Sequence, residues 1–553
     1  MIAKASKKFK FVQMSKTTKH LLLAIGSGSL LAASWPINGI TLLIFISLIP
    51  LLILEDSIRK DEHNKKGIRV FLFSYLTFVV WNCLTTWWLI NSTVFGMLFA
   101  NLCNSFFYAL IFLCFSWTKT RVSSRSGYLF FITLWIAFEK LHLEWDFSWT
   151  WLTLGNVFSE KIYWIQWYEY TGVYGGSLWV LVINVWGFSI LKKYGLSSNA
   201  KPLLKKLIGP LLLIALPIAG SLNLYQQVDE VEKNISVALI QPNIDPYNTK
   251  YQLTNSKFLS LWAEQTKPFL KDSLDYILSP ETYFAEGFGE ELKDYPKSIL
   301  HQEIQEELGK IPTTQFITGI QYYNVYVQEK APSLTANLAR KGLWVEYYNS
   351  ALGEHYSQKP QVYHKSKLVV GVENMPLKSI LNPLLGDLML DLGGTVASRV
   401  TQSQRSVFSH PNLKEKAAPI ICWESIFGEF VTGYVKEGAT FLAVISNDAW
   451  WGETPGHRQL LSYTRLRAIE TRRDIARSAN TGISCIIDAR GEILEQTSYN
   501  TKTVLTANLS SRDTLTFYVR FGDIIARWAG FITVLFFLLA LSGRLKEKDS
   551  LKN

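Results

Sequence analysis

Two long stretches without a charged side chain constrain this chain more than any other feature. Residues 20–54 and 70–118 contain no Asp, Glu, Lys or Arg. Each stretch is interrupted once, by Trp-Pro-Ile-Asn-Gly at 35–39 and by Asn-Ser-Thr at 91–93. A helix needs about 20 apolar residues to cross a hydrocarbon core of about 30 Å. Each stretch therefore predicts two membrane spans.

Further apolar runs bring the number of predicted spans to about eight. These runs lie near 126–139, 171–191, 207–225 and 524–543. The weakest is 126–139, because it is short and ends at Glu139-Lys140. We therefore predict a multi-pass α-helical membrane domain over residues 1–225 and a last span with a basic tail over residues 523–553.

The net charge of +11 comes from the part of the chain that is rich in predicted spans. Residues 1–224 contain 21 Lys and Arg against 9 Asp and Glu, whereas residues 225–553 contain 35 against 36. Basic residues cluster before the first predicted span and after the second, fourth, sixth and eighth, as in cytoplasmic loops. This pattern argues against a nucleic-acid partner. It predicts a membrane protein with both termini in the cytoplasm and residues 226–522 outside the cytoplasmic membrane.

A tryptophan-rich segment, residues 142–170, lies between two predicted spans. It contains Trp145, Trp149, Trp151, Trp164 and Trp167. One interpretation is an aromatic belt at the outer membrane–water interface. The other is a re-entrant or surface helix that shapes a lipid entrance.

Residues 226–522 are predicted to form one α/β domain. Short, apolar, β-branched runs have the composition of buried strands. They are 235–240, 276–278, 316–320, 419–422 and 441–446. Helical stretches are predicted at 255–270 and 458–478. Polar residues follow the strand ends, which is where open α/β sheets bind their ligands.

Three residues of this domain could together form a thiol-based catalytic site. Cys422 and Glu281 each follow an apolar strand, and Lys365 lies in Tyr-His-Lys-Ser-Lys-Leu at 363–368. A thiolate nucleophile needs a base and a group that stabilises the oxyanion. Taken singly, each has an ordinary alternative: a core cysteine, a surface carboxylate or a solvated lysine. Lys367 competes with Lys365, because both would point to one face of an extended segment.

The sequence carries no motif for a metal or a cofactor, and we predict neither. A C-x-x-C pair, an H-E-x-x-H motif, a Walker A loop and a G-x-G-x-x-G loop are all absent.

The order Glu281, Lys365, Cys422 resembles the Glu-Lys-Cys set of the nitrilase, or carbon–nitrogen hydrolase, superfamily. The flanking motifs run in the family's order. They are Tyr-Tyr-Asn-Ser-Ala at 347–351, Tyr-His-Lys at 363–365, Ile-Cys-Trp-Glu at 421–424, Ser-Asn-Asp-Ala-Trp-Trp-Gly at 446–452, Arg-Ala-Ile-Glu at 467–470 and Asn-Thr-Gly-Ile-Ser at 480–484. With spans on both sides, the chain as a whole resembles the apolipoprotein N-acyltransferase family, the integral-membrane branch of that superfamily.

The resemblance implies an α-β-β-α sandwich that catalyses acyl transfer. A fatty acyl chain would leave a phospholipid donor, form a thioester with Cys422, and pass to the free α-amine of a diacylglyceryl-modified N-terminal cysteine on an apolipoprotein. The enzyme would need no cofactor and would act as a monomer. Two alternatives stay open: a membrane-anchored amidase with a soluble substrate, and a catalytically inactive scaffold.

The resemblance also implies roles for individual residues. Glu281 would act as the general base, and Lys365, which the motif spacing selects over Lys367, would stabilise the oxyanion with a backbone N–H near Trp423. We expect Glu373, Trp423 and Glu424 to position the substrate. Glu424 has an equal alternative as a buried acid that caps the next helix.

The segment 376–400 is apolar and contains glycines at 386, 393 and 394. It would form either part of the domain core or a mobile lid that dips into the membrane interface.

Overall fold

The computed structural model describes residues 15–195, 200–229, 234–246, 249–269, 274–374 and 398–542. The predicted lid or core segment 376–400 lies outside these ranges except for residues 398–400. The described residues form a helical part and a two-sheet part that pack against each other.

A helix lies at each of the eight places where a span is predicted. Along the chain, the α-helices are α1 (Lys16–Ala33), α2 (Ile49–Lys60), α3 (Lys66–Thr86), α4 (Val94–Lys119), α5 (Ser124–His142), α6 (Tyr168–Thr171), α7 (Val173–Tyr194), α8 (Ala200–Gln227), α9 (Asn255–Thr266), α10 (Ile299–Leu308), α11 (Gly428–Lys436), α12 (Pro455–Thr471), α13 (Phe517–Phe521) and α14 (Ile524–Ser542). The predicted break at 91–93 is a helix start, because the Thr93 side chain accepts a hydrogen bond from the N–H of Gly96 at the first turn of α4.

Six helical segments in the described ranges are long and apolar enough to cross a membrane. They are Thr41–Lys60, Lys66–Asn91, Val94–Lys119, Val173–Tyr194, Lys205–Gln227 and Ile524–Ser542. The other two predicted spans contain charged residues, α1 near its first turn and α5 near both ends. Both nevertheless belong to the bundle, since α1 packs against α2 and α3, and α5 packs against α4 and α14.

The two-sheet part contains fourteen strands among the described residues. They are β1 (Ile235–Gln241), β2 (Tyr276–Leu278), β3 (Glu290–Glu291), β4 (Gln315–Val327), β5 (Asn337–Arg340), β6 (Leu343–His355), β7 (Gln361–His364), β8 (Phe408–Ser409), β9 (Lys416–Ile421), β10 (Phe441–Ser446), β11 (Ile475–Ala479), β12 (Cys485–Ile487), β13 (Ile493–Gln496) and β14 (Thr503–Leu509). One sheet has the order β14-β1-β2-β4-β6-β5, with β3 beside β4 and β7 beside β6. The other has the order β13-β12-β11-β10-β9-β8.

The central strands β1 and β2 of the first sheet are buried on both faces, and their side chains alternate between two cores. On β1, Val237 and Leu239 share a core with the second sheet, whereas Ala238 and Ile240 share a core with α9 and α10. This alternation follows from the two-residue period of a strand. With α11 packed against β9 of the second sheet and α12 packed against α11, the domain has the predicted α-β-β-α layers.

The predicted helix over 458–478 is wrong beyond Thr471. Helix α12 ends there, Arg472 adopts a left-handed conformation with φ of 51°, and Ile475–Ala479 form β11. Strand β11 pairs in parallel with β10 and is completely buried. Pairing within the sheet has overridden the local preference for helix.

Candidate active site

Two sharp turns at strand ends place a carboxylate and a thiol at the same edge of the sandwich. Glu281 lies three residues after β2, and the next residue, Thr282, has φ of 48°. Cys422 follows β9 directly and itself has φ of 49°. A non-glycine residue at positive φ is strained and persists only where the surrounding structure imposes it. Gly319 makes room for the first turn, because a Cβ there would overlap the backbone of Glu281 and Thr282.

Lys365 lies between two carboxylates. Its ammonium group donates to Glu281 Oε1 at 2.8 Å and forms an ion pair with Glu373 Oε2 at 2.9 Å. Asn349 bridges the same two acids, because its Nδ2 donates to Glu281 Oε1 and to Glu373 Oε1, each at 2.8 Å. These four buried polar side chains form one network. Among the described residues, no donor reaches Glu281 Oε2, which leaves that oxygen able to accept a proton.

The network holds Lys365 in its charged form. Burial by itself would lower the pKa of Lys365, but the charges of Glu281 and Glu373 outweigh burial and raise this pKa above its ordinary value. Burial likewise opposes the ionisation of Glu373, while Lys365 and Arg399 lower its pKa. Both groups are therefore ionised at neutral pH.

The Cys422 thiol is held in its neutral form. Burial raises the pKa of this thiol, the charge of Glu281 raises it further, and the charge of Lys365 acts in the opposite direction. A resting thiol with a raised pKa cannot attack a carbonyl until a base removes its proton. Both Glu281 and Lys365 thus act electrostatically on the sulfur.

Glu424 joins the turn that carries Cys422 to the loop that carries Lys365. Its carboxylate accepts hydrogen bonds from the N–H of Ser366 at 2.6 Å, the hydroxyl of Tyr363 at 2.7 Å and the N–H of Ile421 at 2.9 Å. Glu424 is completely buried, and burial raises its pKa. These contacts favour a structural role for Glu424, the alternative to direct contact with the substrate. Its carboxylate holds the turn that carries Cys422 against the loop that carries Lys365.

Trp423 connects the nucleophile turn to the helical part. Its ring lies 5.0 Å from that of Trp151, and Trp151 also contacts Trp88 at 4.7 Å and Trp451 at 5.6 Å. Trp151 is 1% exposed, so this member of the tryptophan-rich segment does not lie in an aromatic belt. It is an internal contact between the two parts of the molecule.

Two polar residues that contact Glu281, Asn349 and Lys250, were not predicted from the sequence as parts of the site. Asn349 lies in a quoted motif, but its role depends on the pairing of β6 with β7, where Ser350 lies opposite His364. Lys250 donates to the Thr282 hydroxyl and, at 3.4 Å, to the carbonyl oxygen of Glu281. Burial lowers the pKa of Lys250 to about 8, against the opposing charge of Glu281. Lys250 lies 31 residues from Glu281 in the sequence, so no local sequence pattern could predict this contact.

A buried ion pair supports the second sheet beside the nucleophile. Arg477 on β11 donates to both carboxylate oxygens of Asp448, at 2.9 and 2.8 Å, and Ser446 donates to Asp448 Oδ1 at 2.6 Å. In the part of the chain that the structure describes, no three His, Cys, Asp or Glu side chains come together in an arrangement that could hold a metal ion.

Comparison with known proteins gives matches to both parts of the chain. The family described as "Apolipoprotein N-acyltransferase N-terminal domain" matches residues 27–186, and the family described as "Carbon-nitrogen hydrolase" matches residues 236–516. The apolipoprotein N-acyltransferase of Chlorobaculum tepidum is 28% identical over 519 residues, which cover 92% of this chain and 94% of that protein. That of Geobacter metallireducens is 28% identical over 527 residues, covering 92% and 93%. A solved amidase from Nesterenkonia sp. is 15% identical, with 55% of this chain and 98% of the amidase covered and a TM-score of 0.36.

Proposed function

The chain belongs to the carbon–nitrogen hydrolase family, and on this premise we propose that Glu281, Lys365 and Cys422 are the catalytic residues of an apolipoprotein N-acyltransferase. The enzyme moves a fatty acyl chain from a phospholipid to the free α-amino group of a lipid-modified N-terminal cysteine. The observation that carries the assignment of residues is the buried network in which Lys365 joins Glu281 to Glu373 beside the strained Cys422 turn.

The first half-reaction forms a thioester. Glu281 Oε2 takes the proton of the Cys422 thiol while the sulfur attacks the ester carbonyl of the phospholipid. The bond between the acyl carbon and the glycerol oxygen then breaks. Glu281 returns its proton to that oxygen, and the lysophospholipid leaves.

Lys365 and the nucleophile turn stabilise the oxyanion. Two acceptors use two of the three ammonium protons of Lys365, so one proton is left for the negative oxygen. Cys422 begins a short 3-10 helix, Cys422–Ile426, and the first N–H groups of a helix have no acceptor within it. The N–H of Trp423 is the second donor in this proposal. Trp423 and Glu424 position the substrate indirectly, by fixing the turn.

The second half-reaction forms an amide. Glu281 takes a proton from the α-amine as the nitrogen attacks the thioester carbonyl, and the proton moves to the Cys422 sulfur when the C–S bond breaks. The contact of Trp423 with Trp151 favours a lipid substrate over a soluble amide, because the helical part borders the nucleophile turn.

The eight-span topology is also part of the proposal. Residues 1–225 and 523–553 form the membrane part, 226–522 form the catalytic domain on the periplasmic side of the inner membrane, and both termini are cytoplasmic. The alternation of basic loops and the packing of α1 and α5 inside the bundle support it.

Mass spectrometry of the purified protein tests the proposed residues. Incubation with phospholipid, without an acceptor, should add one acyl group to Cys422. Cys422→Ser should form no thioester, whereas Cys485→Ser, at the other buried cysteine of the domain, should be acylated at the wild-type rate. Acylation of the Cys422→Ser protein at a different cysteine would overturn the assignment.

A further inference from the structure

A cavity of about 340 Å³ lies where the helical part meets the catalytic domain. Its walls include the end of α5, the start of α7, the segment before α14 and the residues that follow the nucleophile turn. If these helices cross the bilayer, the cavity lies at the level of the phospholipid headgroups.

One wall of the cavity carries charges that are already paired. Lys140 forms ion pairs with Glu144 at 2.6 Å, Glu429 at 2.6 Å and Asp523 at 2.9 Å. Glu429 also pairs with Arg527. This group of five side chains is internally compensated apart from one negative charge.

The cavity is also lined by two cations, Lys367 and Arg405, that have no paired acid among the described residues. The Lys367 ammonium lies 5.0 Å from the centre of the Phe427 ring, and the Arg405 guanidinium lies 3.8 Å from that of Phe430. Among the described residues, Arg405 donates only to neutral oxygens, those of the Tyr363 hydroxyl at 3.2 Å and the Ser403 carbonyl at 2.9 Å. Within the described ranges, neither cation has a carboxylate at ion-pair distance. Aromatic faces hold both charges at the cavity without neutralising them.

The two cations also act on each other. Burial lowers the pKa of Lys367, and the charges of Lys140 and Arg405 lower it further, against the opposing effects of Glu144 and Glu424. An anion between Lys367 and Arg405 would relieve this repulsion and accept charge-assisted hydrogen bonds from both groups.

The cavity is linked rigidly to the catalytic residues. Lys367 follows Lys365 by two residues in the loop that Glu424 fixes, and Phe427 directly follows the 3-10 helix that begins at Cys422. In a glycerophospholipid, the phosphate and the acyl esters are attached to the same three-carbon glycerol. A phosphate held in this cavity would therefore keep an ester close to the thiol.

We propose that Lys367 and Arg405 bind the phosphate group of the glycerophospholipid donor in this cavity. The inference rests on the proposed function and adds the residues that recognise the donor. It also explains why the enzyme would prefer a phospholipid to a neutral lipid that carries the same ester, because only the phospholipid has a phosphate for these two cations to bind.

The test compares two donors with identical acyl chains, a phospholipid and a diacylglycerol, in the same mixed micelles. The readout is the rate at which the full-length protein forms the acyl adduct on Cys422. In the double variant Lys367→Gln, Arg405→Gln, the ratio of the phospholipid rate to the diacylglycerol rate should fall by about tenfold to a hundredfold. Lys367→Arg should keep most of the ratio. The matched control is Lys436→Gln, at an exposed residue on α11 that does not line the cavity.

Inorganic phosphate separates a lipid headgroup from free phosphate as the ligand. A headgroup site predicts that inorganic phosphate slows transfer from phospholipid and leaves transfer from diacylglycerol unchanged. An equal change with both donors would overturn the assignment. An unchanged ratio of the two donor rates in the double variant would also overturn it. The same holds if the double variant unfolds at the wild-type temperature but loses activity equally with both donors. A wild-type protein that forms no adduct with either donor would instead contradict the proposed function.

Discussion

The catalytic centre and the neighbouring cavity each contain a lysine of the same loop, but the two lysines have opposite surroundings. Lys365 has two carboxylates within 2.9 Å, and their charges raise its pKa. Lys367 lies over an aromatic ring, and burial lowers its pKa. The first ion cluster is complete before any substrate arrives. Among the described residues, no carboxylate lies at ion-pair distance from Lys367, and in our proposal the phosphate of the donor takes that place.

The largest expected effect separates the two lysines by stability and by activity. Lys365→Met leaves Glu281 and Glu373 buried with no cation between them, which should destabilise the domain by about 3–5 kcal/mol and abolish thioester formation. Lys367→Met removes a cation that has no carboxylate partner in the described part of the chain, and this variant should unfold at nearly the wild-type temperature. Thermal unfolding and adduct formation on Cys422 measure both effects. Equal stability of the two variants would show that the contrast between the lysines is wrong.

Glu281→Gln tests the base within the catalytic centre. The amide cannot take the thiol proton, so acylation should slow by about a hundredfold to ten-thousandfold. Glu373 still pairs with Lys365, and we therefore expect a folded protein. Glu286→Gln serves as the control, since that carboxylate accepts from the N–H of Asn255 outside the network. If another residue were the base, the acylation rate of the Glu281→Gln variant would stay within a few-fold of the wild-type rate.

The pH dependence of thiol alkylation tests the resting state of Cys422. Burial raises the thiol pKa, so the reactive thiolate is scarce at neutral pH and increases as the pH rises. The rate with iodoacetamide should rise about tenfold per pH unit and continue to rise through pH values near 8.5, where an unperturbed thiol levels off. A plateau at neutral pH would mean that Lys365 outweighs burial and stabilises the thiolate.

Asn349→Leu should produce the smallest effect in this series. The variant loses two hydrogen bonds to carboxylates but retains every charge, so acylation should slow by about tenfold to a hundredfold. The shape of the pH profile should stay unchanged, because Glu281 and Lys365 remain in place. A purely structural role for Asn349 would lower the unfolding temperature without changing the rate at low temperature.

These contrasts also show what the sequence can and cannot predict. Glu281 and Cys422 were predictable as candidates because each follows an apolar strand, whereas the two-sheet sandwich was implied only by the resemblance to the nitrilase superfamily. The contacts of Asn349 depend on strand register, and those of Lys250 on chain segments that are distant in sequence. Neither set of contacts can be predicted from a periodic pattern of apolar residues in the sequence.

In the helical part, the positions of the helices along the chain were predictable, but their docking against the catalytic domain was not. The eight helices at the predicted spans follow from apolar runs, since length and composition are enough to define them. The position of Trp151 against Trp423 was not predictable, because it depends on how the two parts dock. Beyond Thr471, local helical preference gave the wrong element, since pairing with β10 decided the structure.

The most direct measurement of the central claim is the fate of a preformed acyl-Cys422 adduct. The acylated protein, freed of donor lipid, is mixed with a diacylglyceryl-modified peptide that has a free α-amine, and in parallel with the same peptide after N-acetylation. Our account predicts that the adduct disappears, and an N-acylated peptide appears, only with the free amine. Loss of the adduct at the same rate with both peptides, with release of free fatty acid, would contradict acyl transfer and identify a hydrolase.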